Sequence, residues 1–296
     1  MTKTILERLD AGEILLCDGA MGTFLQAKGL EPGTCPELWS VDRAADVQDI
    51  HRAYREAGSD IVECNSFGGT RYKLGHYDLS VRAAELNRAA AAIAREVAGT
   101  DQYVLGSAGP TGEFMAPLGL EPEEAFYRAF AEQVSAFEEG GADAVIVESM
   151  SALEEATVAV RAARENTELT VFATMTFDPQ MHGGYATIMG VTPAQAATEL
   201  VDAGAHIIGT NCGTGADQMI NVVREMRTAA PEHPIIAMPN AGMPELENGE
   251  TVFKETPEQM AGKAIELVRA GATVIGGCCG TGPEHIAAMK AAITTM

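Results

Sequence analysis

The sequence predicts a single (β/α)8 barrel of the mixed α/β class. Short apolar segments alternate with longer segments of helical spacing, and this alternation occurs eight times along 296 residues. Strand–helix–strand order of this kind gives parallel strands joined by right-handed crossovers. The chain length suits a barrel of eight such units. An open doubly wound sheet is the alternative fold.

The eight predicted strands are short and apolar, and most are followed by glycine, asparagine or another turn-forming residue. They are 14–17, 60–65, 103–107, 143–148, 169–175, 206–211, 234–238 and 273–276. The first is followed by Asp18–Thr23, which is predicted to form a tight glycine turn.

The eight predicted helices carry apolar residues three and four positions apart, as Val47, Ile50 and Tyr54 do in the first. They are 44–57, 79–98, 121–139, 152–166, 193–203, 216–230, 257–270 and 283–293. Glycine after the last turn ends several of them. A pattern such as Ala57–Gly58–Ser59–Asp60 recurs before four strands and marks helix-to-strand corners. No linker interrupts the alternation, so residues 1–296 are predicted to form one domain.

Composition narrows the class of protein. A formal net charge of −22 argues against a nucleic-acid-binding surface, which requires clustered Lys and Arg. No apolar run approaches the roughly 18 residues of a membrane span, and no signal-peptide core follows the first residues. We therefore expect a cytoplasmic protein with reduced cysteines, for which a metal or catalytic role outranks disulfides.

Three cysteines lie at the ends of predicted strands. Cys278 and Cys279 follow the eighth strand within a glycine-rich turn, and Cys212 follows the sixth. Loops after the strands form the active face of such a barrel, and strands six to eight are neighbours, so the three thiols can converge on one metal ion. An adjacent cysteine pair by itself is also typical of two small buried residues or of a redox pair.

Zinc is the metal that this ligand set favours, because thiolates are soft ligands and three of them leave one tetrahedral position open. A sulfur substrate could fill that position as a thiolate, which suggests alkylation of a thiol rather than activation of water. The other cysteines lack this context. Cys17 is interpreted as a core residue, Cys35 as a loop thiol and Cys64 as a small residue at the pocket edge.

Two acids also lie at strand ends near the predicted barrel mouth. A buried carboxylate at Asp18 or Glu148 would suit the amino group of a substrate, while a turn cap for Asp18 and a helix cap for Glu148 are the structural alternatives. Consecutive backbone amides can hold a carboxylate. Those after the first strand belong to Gly19, Ala20, Met21 and Gly22.

Six motifs occur in order along nearly the whole chain and together resemble the homocysteine S-methyltransferase family. The resemblance is closest to the homocysteine-binding barrel of cobalamin-dependent methionine synthase. The motifs are Asp18–Thr23, Asn65–Arg71, Gly109–Gly112, Asn211–Cys212, Pro239–Gly242 and Gly276–Thr281.

The resemblance implies a function and a site. It implies that Cys212, Cys278 and Cys279 are the catalytic ligands of Zn²⁺, and that Glu148 and the Asp18–Gly22 turn contact homocysteine. It also implies that Asn240 can approach the zinc when substrate is absent, and that homocysteine takes a methyl group and leaves as methionine. Cys64 departs from the family, which more often has Thr there.

The methyl donor is open to three interpretations. The leading one is a separate methyl-corrinoid protein, because the chain ends after the eighth unit and is not expected to hold a corrinoid itself. The second is direct use of a small onium compound such as S-methylmethionine or a betaine. The third is a non-catalytic zinc- or thiol-binding protein that shares the barrel.

Overall fold

Eight parallel strands form the inner layer of the computed structural model, which describes residues 3–213, 215–247 and 250–296. They are β1 (Leu15–Leu16), β2 (Ile61–Glu63), β3 (Tyr103–Ala108), β4 (Ala144–Met150), β5 (Thr170–Met175), β6 (Ile207–Cys212), β7 (Ile235–Pro239) and β8 (Val274–Ile275). Their order is β1-β8-β7-β6-β5-β4-β3-β2. Each strand begins and ends within two residues of its predicted bounds, and the predicted (β/α)8 class is confirmed.

The outer layer consists of eight helices that follow the strands. They are α1 (Ala44–Glu56), α2 (Ala83–Ala98), α3 (Glu123–Glu139), α4 (Leu153–Asn166), α5 (Pro193–Asp202), α6 (Ala216–Ala229), α7 (Pro257–Ala270) and α8 (Pro283–Thr294). Thr192 and Thr256 cap α5 and α7 through their side chains, each with proline in the first turn. The predicted helix 79–98 begins later, at Ala83, because Ser80–Arg82 form a 3₁₀ turn.

Several short elements in the loops were not predicted. They are the helices Ile5–Asp10, Met21–Ala27, Trp39–Asp42 and Arg71–Gly75, and the hairpins Asp178–Pro179/Tyr185–Ala186 and Glu245–Glu247/Glu250–Val252. The prediction of a tight turn over Asp18–Thr23 was wrong for its last residues, because a helix begins at Met21. Such elements span too few residues to show a clear period. None of the described helices combines the length and apolar character that crossing a membrane requires.

The barrel interior is filled by side chains that alternate along the strands. Leu15, Ile61, Ile146 and Phe172 belong to the interior cluster, together with Cys17, as predicted for that cysteine. The intervening strand residues pack outward against the helices. Polar groups therefore appear where the strands end, at the mouth of the barrel.

β1 and β2 meet at the edges of the sheet, and carboxylates complete the bonding between them. The Asp60 N–H donates to the Leu16 carbonyl at 2.7 Å, and the Leu16 N–H donates to Asp60 Oδ2 at 3.0 Å. Nearer the mouth, the Glu63 N–H donates to Asp18 Oδ2 at 3.0 Å. Side-chain oxygens thus act as acceptors where a regular ladder would use carbonyl groups.

Asp60 also joins this seam, the junction between β1 and β2, to two helices. Its carboxylate accepts from Arg8 of the N-terminal helix at 3.2 Å and from Lys290 of α8 at 2.9 Å. With its side chain 14% exposed, Asp60 is a partly buried acceptor for three donors.

We predict that Asp60→Ala lowers the free energy of unfolding by about 2 kcal/mol, because the Leu16 N–H and two cations lose their acceptor. Urea unfolding measures the change. Asp49→Ala is the matched control, since it removes the same charge and two cationic partners, Lys28 and Arg52, from an exposed helix position. Equal losses in the two variants would contradict the role of Asp60 in closing the barrel.

His51 is a buried histidine in α1. Its side chain is fully buried, and neither ring nitrogen has a hydrogen-bond partner among the described residues. Burial, with a smaller contribution from the charge of Arg52, lowers the pKa of His51 to about 4. The fold therefore holds His51 in its neutral form.

His51 should make the fold sensitive to acid. Its pKa is lower in the folded than in the unfolded chain, so its stabilising effect is complete above the unfolded value of about 6.5. That effect is lost as the pH falls toward 4, by about 2 kcal/mol between pH 7 and pH 5. His51→Leu is expected to remove this part of the pH dependence in urea unfolding, and the exposed control His182→Leu to keep it. An unchanged slope in His51→Leu would refute the assignment.

Candidate active site

Three thiols converge at the carboxyl ends of β6 and β8. The Sγ atoms of Cys212, Cys278 and Cys279 all lie within 4.8 Å of one another, and those of Cys278 and Cys279 are 4.0 Å apart. Ligands of a tetrahedral ion with metal–sulfur bonds of about 2.3 Å are separated by about 3.8 Å. The cluster therefore has the spacing to hold one metal ion.

Backbone and amide contacts fix these thiols in place. The Cys278 N–H donates to the Pro239 carbonyl at 2.8 Å, and the Cys279 N–H donates to Asn240 Oδ1 at 3.1 Å. Asn240 Nδ2 in turn donates to the Gly213 carbonyl at 2.8 Å. Asn240 thus joins the loop after β6 to the loop after β8, and it is not among the residues that line the cavity.

The backbone at Cys212 has an uncommon conformation. Its φ is +62°, a left-handed value that non-glycine residues rarely adopt. The Cys278 and Cys279 thiols, acting as hydrogen-bond donors, lower the pKa of the Cys212 thiol. The cluster thus favours a thiolate at Cys212, which is the form that binds metals.

A cavity of about 390 Å³ opens next to the thiols at the barrel mouth. Its wall contains the three clustered cysteines, the carboxylates of Glu37, Glu63 and Glu148, and the segment from Gly19 to Thr23. Within the described ranges, no lysine or arginine lines it. The lining of this largely apolar cavity therefore includes three acidic residues and, among the described residues, no basic one.

Glu148 lies in β4 and lines the cavity, with 6% of its surface exposed. The Ser107 hydroxyl donates to Oε1, and Asn211 Nδ2 donates to Oε2 at 2.8 Å. Burial raises the pKa of Glu148 to about 7, although the Ser107 hydrogen bond acts in the opposite direction. The carboxyl group is held in one orientation at the edge of the cavity.

Asn211 connects Glu148 to the thiol cluster, a role that the sequence analysis did not assign. Its Nδ2 also lies 2.8 Å from Ser149 Oγ and 4.0 Å from Cys278 Sγ, and its Oδ1 accepts from the Ser149 N–H and the Thr174 hydroxyl. Ser149 has a left-handed φ of +56°. The position of Asn211 at a strand end, next to Cys212, is the sequence signal that was available.

Asp18 contributes to the bonding between β1 and β2, whereas the segment from Gly19 to Thr23 lines the cavity. Asp18 Oδ2 accepts the Glu63 N–H in the seam, and Asp18 itself is not part of the cavity wall. The Ala20 N–H donates to Thr281. Met21 and Gly22 occupy the first turn of a helix, where N–H groups have no acceptor within the helix.

The remaining cysteines lie outside the thiol cluster. Cys64 lines the cavity and is 2% exposed, and Cys35 lies in a loop, where its thiol donates to Glu37 Oε2 at 3.3 Å. Burial raises the pKa of both thiols. Neither belongs to the group of three cysteines whose Sγ atoms are close enough to share one ion.

Comparison with known proteins identifies the family. The sequence model described as homocysteine S-methyltransferase matches residues 15–293. This chain belongs to the homocysteine S-methyltransferase family. The resemblance inferred from the six sequence motifs is confirmed, as is the prediction of an enzyme of this class at the level of the family.

Two curated relatives of this family member are named methionine synthase. The protein from Mycobacterium tuberculosis is 34% identical over 303 residues, and the alignment covers 96% of this chain and 25% of the relative. The protein from Mycobacterium leprae is 33% identical over 309 residues, and the alignment covers 98% of this chain and 25% of the relative. The chain thus spans about a quarter of the length of these relatives.

The solved structure of the homocysteine methyltransferase MmuM from Escherichia coli, in its metallated form, shares the fold. It superposes with a TM-score of 0.78 at 23% identity, covering 96% of this family member and 97% of MmuM. The apo form superposes with a TM-score of 0.74. These superpositions independently support the barrel architecture.

We predict that Cys212→Ala, Cys278→Ala and Cys279→Ala each remove most of the bound metal without unfolding the barrel, because the thiols lie at the end of β6 and in the loop after β8, outside the apolar core. Metal analysis after equilibration with zinc, together with circular dichroism, tests this. Cys64→Ala is the matched control, since it removes a thiol from the same cavity but not from the cluster, and its metal content should be unchanged. If a cluster variant keeps all its metal, the replaced cysteine is not a metal ligand.

Proposed function

We propose that this barrel transfers a methyl group to the thiolate of homocysteine and so produces methionine, with residues 1–296 acting as one homocysteine-binding domain. The observation that carries the proposal is the three-thiol cluster in the wall of a cavity that Glu148 and the first-turn residues Met21 and Gly22 also line. This arrangement matches the three functional groups of homocysteine: a thiol, an ammonium group and a carboxylate. Membership of the family supports the same assignment.

The resident metal in this proposal is zinc, held by Cys212, Cys278 and Cys279. Three soft thiolates with the measured spacing fit a tetrahedral ion and leave one position for a fourth ligand. When bound, zinc would stabilise the thiolate form of a substrate sulfur at neutral pH, below the ordinary thiol pKa of about 8.5.

The side chains of the cavity then orient the substrate. Glu148, fixed by Ser107 and Asn211, accepts a hydrogen bond from the ammonium group. The amides of Met21 and Gly22 donate to the carboxylate, with Gly19 and Ala20 shaping the turn that Asp18 anchors from behind. Asn240 keeps the two cysteine loops at a fixed separation. The homocysteine sulfur supplies the electron pair of the new S–CH₃ bond, and the donor retains the pair of the bond that breaks.

The methyl donor that we favour is a methyl-corrinoid carried by a separate protein. The similarity to proteins named methionine synthase supports this choice, as do the six sequence motifs that resemble the homocysteine-binding barrel of the cobalamin-dependent enzyme. A small onium donor is the second candidate. The acidic cavity wall and the Phe67 ring that lines it would attract such a cation.

Donor comparison tests the proposal. Zinc-loaded protein and homocysteine are incubated with methylcobalamin, S-methylmethionine or betaine, and methionine is quantified. We expect methionine from methylcobalamin and none from the onium compounds, with Cys278→Ala as the inactive control. Turnover with S-methylmethionine and none with methylcobalamin would reject the corrinoid donor. Zinc binding without methionine from any donor would indicate a non-catalytic zinc- or thiol-binding protein.

A further inference from the structure

Glu63 is an acidic side chain at the inner surface of the barrel mouth. On β2, Ile61 belongs to the interior cluster and Val62 packs outward against α2, so alternation turns Glu63 inward again. Glu63 lines the same cavity as Glu148. The two acids are carried by β2 and β4, with Ser107 of β3 between them.

The Glu63 carboxylate has one buried oxygen without a hydrogen-bond partner among the described residues. Its Oε1 is buried, and no described residue donates a hydrogen bond to that atom. Leaving a buried polar atom unpaired costs free energy, and here the cavity wall supplies no lysine or arginine to offset it. Burial, then the neighbouring charges of Glu148 and Asp18, raise the pKa of Glu63. A cation bound beside this carboxylate would supply a hydrogen-bond donor and offset the charges of the neighbouring acids.

The other two cavity carboxylates are already engaged. Glu37 accepts from the Gly68 N–H at 2.7 Å and from the Cys35 thiol at 3.3 Å. Both oxygens of Glu148 accept hydrogen bonds from Ser107 and Asn211. Of the three acids that line the cavity, Glu63 is therefore the one with a buried carboxylate oxygen that no described residue engages.

We propose that Glu63 is a substrate-binding and specificity-determining residue that accepts a hydrogen bond from the α-ammonium group of the substrate. Glu63 and Glu148 then bind the same ammonium group from two adjacent parts of the wall and select thiols that carry a free amine. This inference rests on the proposed function, since it takes homocysteine as the occupant of the cavity.

The test compares two ligands that differ only in the amine. Calorimetry on zinc-loaded protein measures the affinity for homocysteine and for 4-mercaptobutanoate, which keeps the thiol and the carboxylate. Glu63→Gln is expected to weaken homocysteine binding about tenfold, the size of one charge-assisted hydrogen bond. Binding of 4-mercaptobutanoate should not weaken, because that ligand has no group for Glu63 to hold.

Matched variants separate a binding role from a structural one. Glu37→Gln removes an equal charge from the same cavity and should leave the preference for the amine unchanged. Glu148→Gln serves as the positive reference and should lose affinity for homocysteine selectively. The fold should survive Glu63→Gln, since the backbone N–H of Glu63, rather than its carboxylate, bonds to Asp18. Glu63→Asp keeps the charge and should retain part of the preference.

The outcomes are distinct. A homocysteine-selective loss in Glu63→Gln supports the inference. Unchanged affinity, or an equal loss for both ligands, overturns it while the wild-type binding data still stand for the proposed function. If the zinc-loaded wild-type protein binds neither compound, the proposed function fails and this inference fails with it.

Discussion

The closure of the barrel between β1 and β2 is the constraint on which the site depends. Carboxylates of Asp60 and Asp18 accept N–H groups of the opposite strand and complete the circle. The cysteine loop after β8 is built onto the same edge, since the Gly277 N–H donates to the Asp18 carbonyl at 2.9 Å. The Tyr54 hydroxyl, from α1, reaches the carbonyl groups of both Ala20 and Thr281. An open sheet would leave the thiols of the eighth unit without this support.

The sequence alone was sufficient to predict the strands and helices that repeat along the chain. Eight apolar strands and eight periodic helices have regular lengths, and their order alone restricts the topology. The convergence of Cys212 with Cys278 and Cys279 followed from the same order, because parallel strands bring their carboxyl ends to one face. Corner glycines such as Gly58 and Gly271, with φ of +92° and +118°, adopt the left-handed conformation that ends a helix.

The site features that the sequence did not reveal depend on contacts between residues that are far apart along the chain. The seam role of Asp18 arises from the position of Glu63 on a strand 45 residues away, which no local pattern encodes. Asn211 and Glu63 occupy strand ends like many other polar residues, and only the hydrogen bonds of Asn211 and the position of Glu63 in the cavity wall distinguish them. The helix Met21–Ala27 forms where a glycine turn was expected, because Ala20 and Thr281 position its first residue.

The left-handed backbone at Cys212 has a consequence for how the thiol cluster arises. A conformation that costs roughly 1 kcal/mol or more persists only where the surroundings impose it, and here the barrel strands and the Asn240 bridge impose it. A short peptide with the same cysteines would lose this arrangement and would have to organise its ligands as it captured an ion, as zinc fingers do. In this protein the scaffold holds the three thiols together without an ion. If they bind a metal as proposed, metal loading and chain folding would be separate events, and the ion could exchange without the architecture being rebuilt.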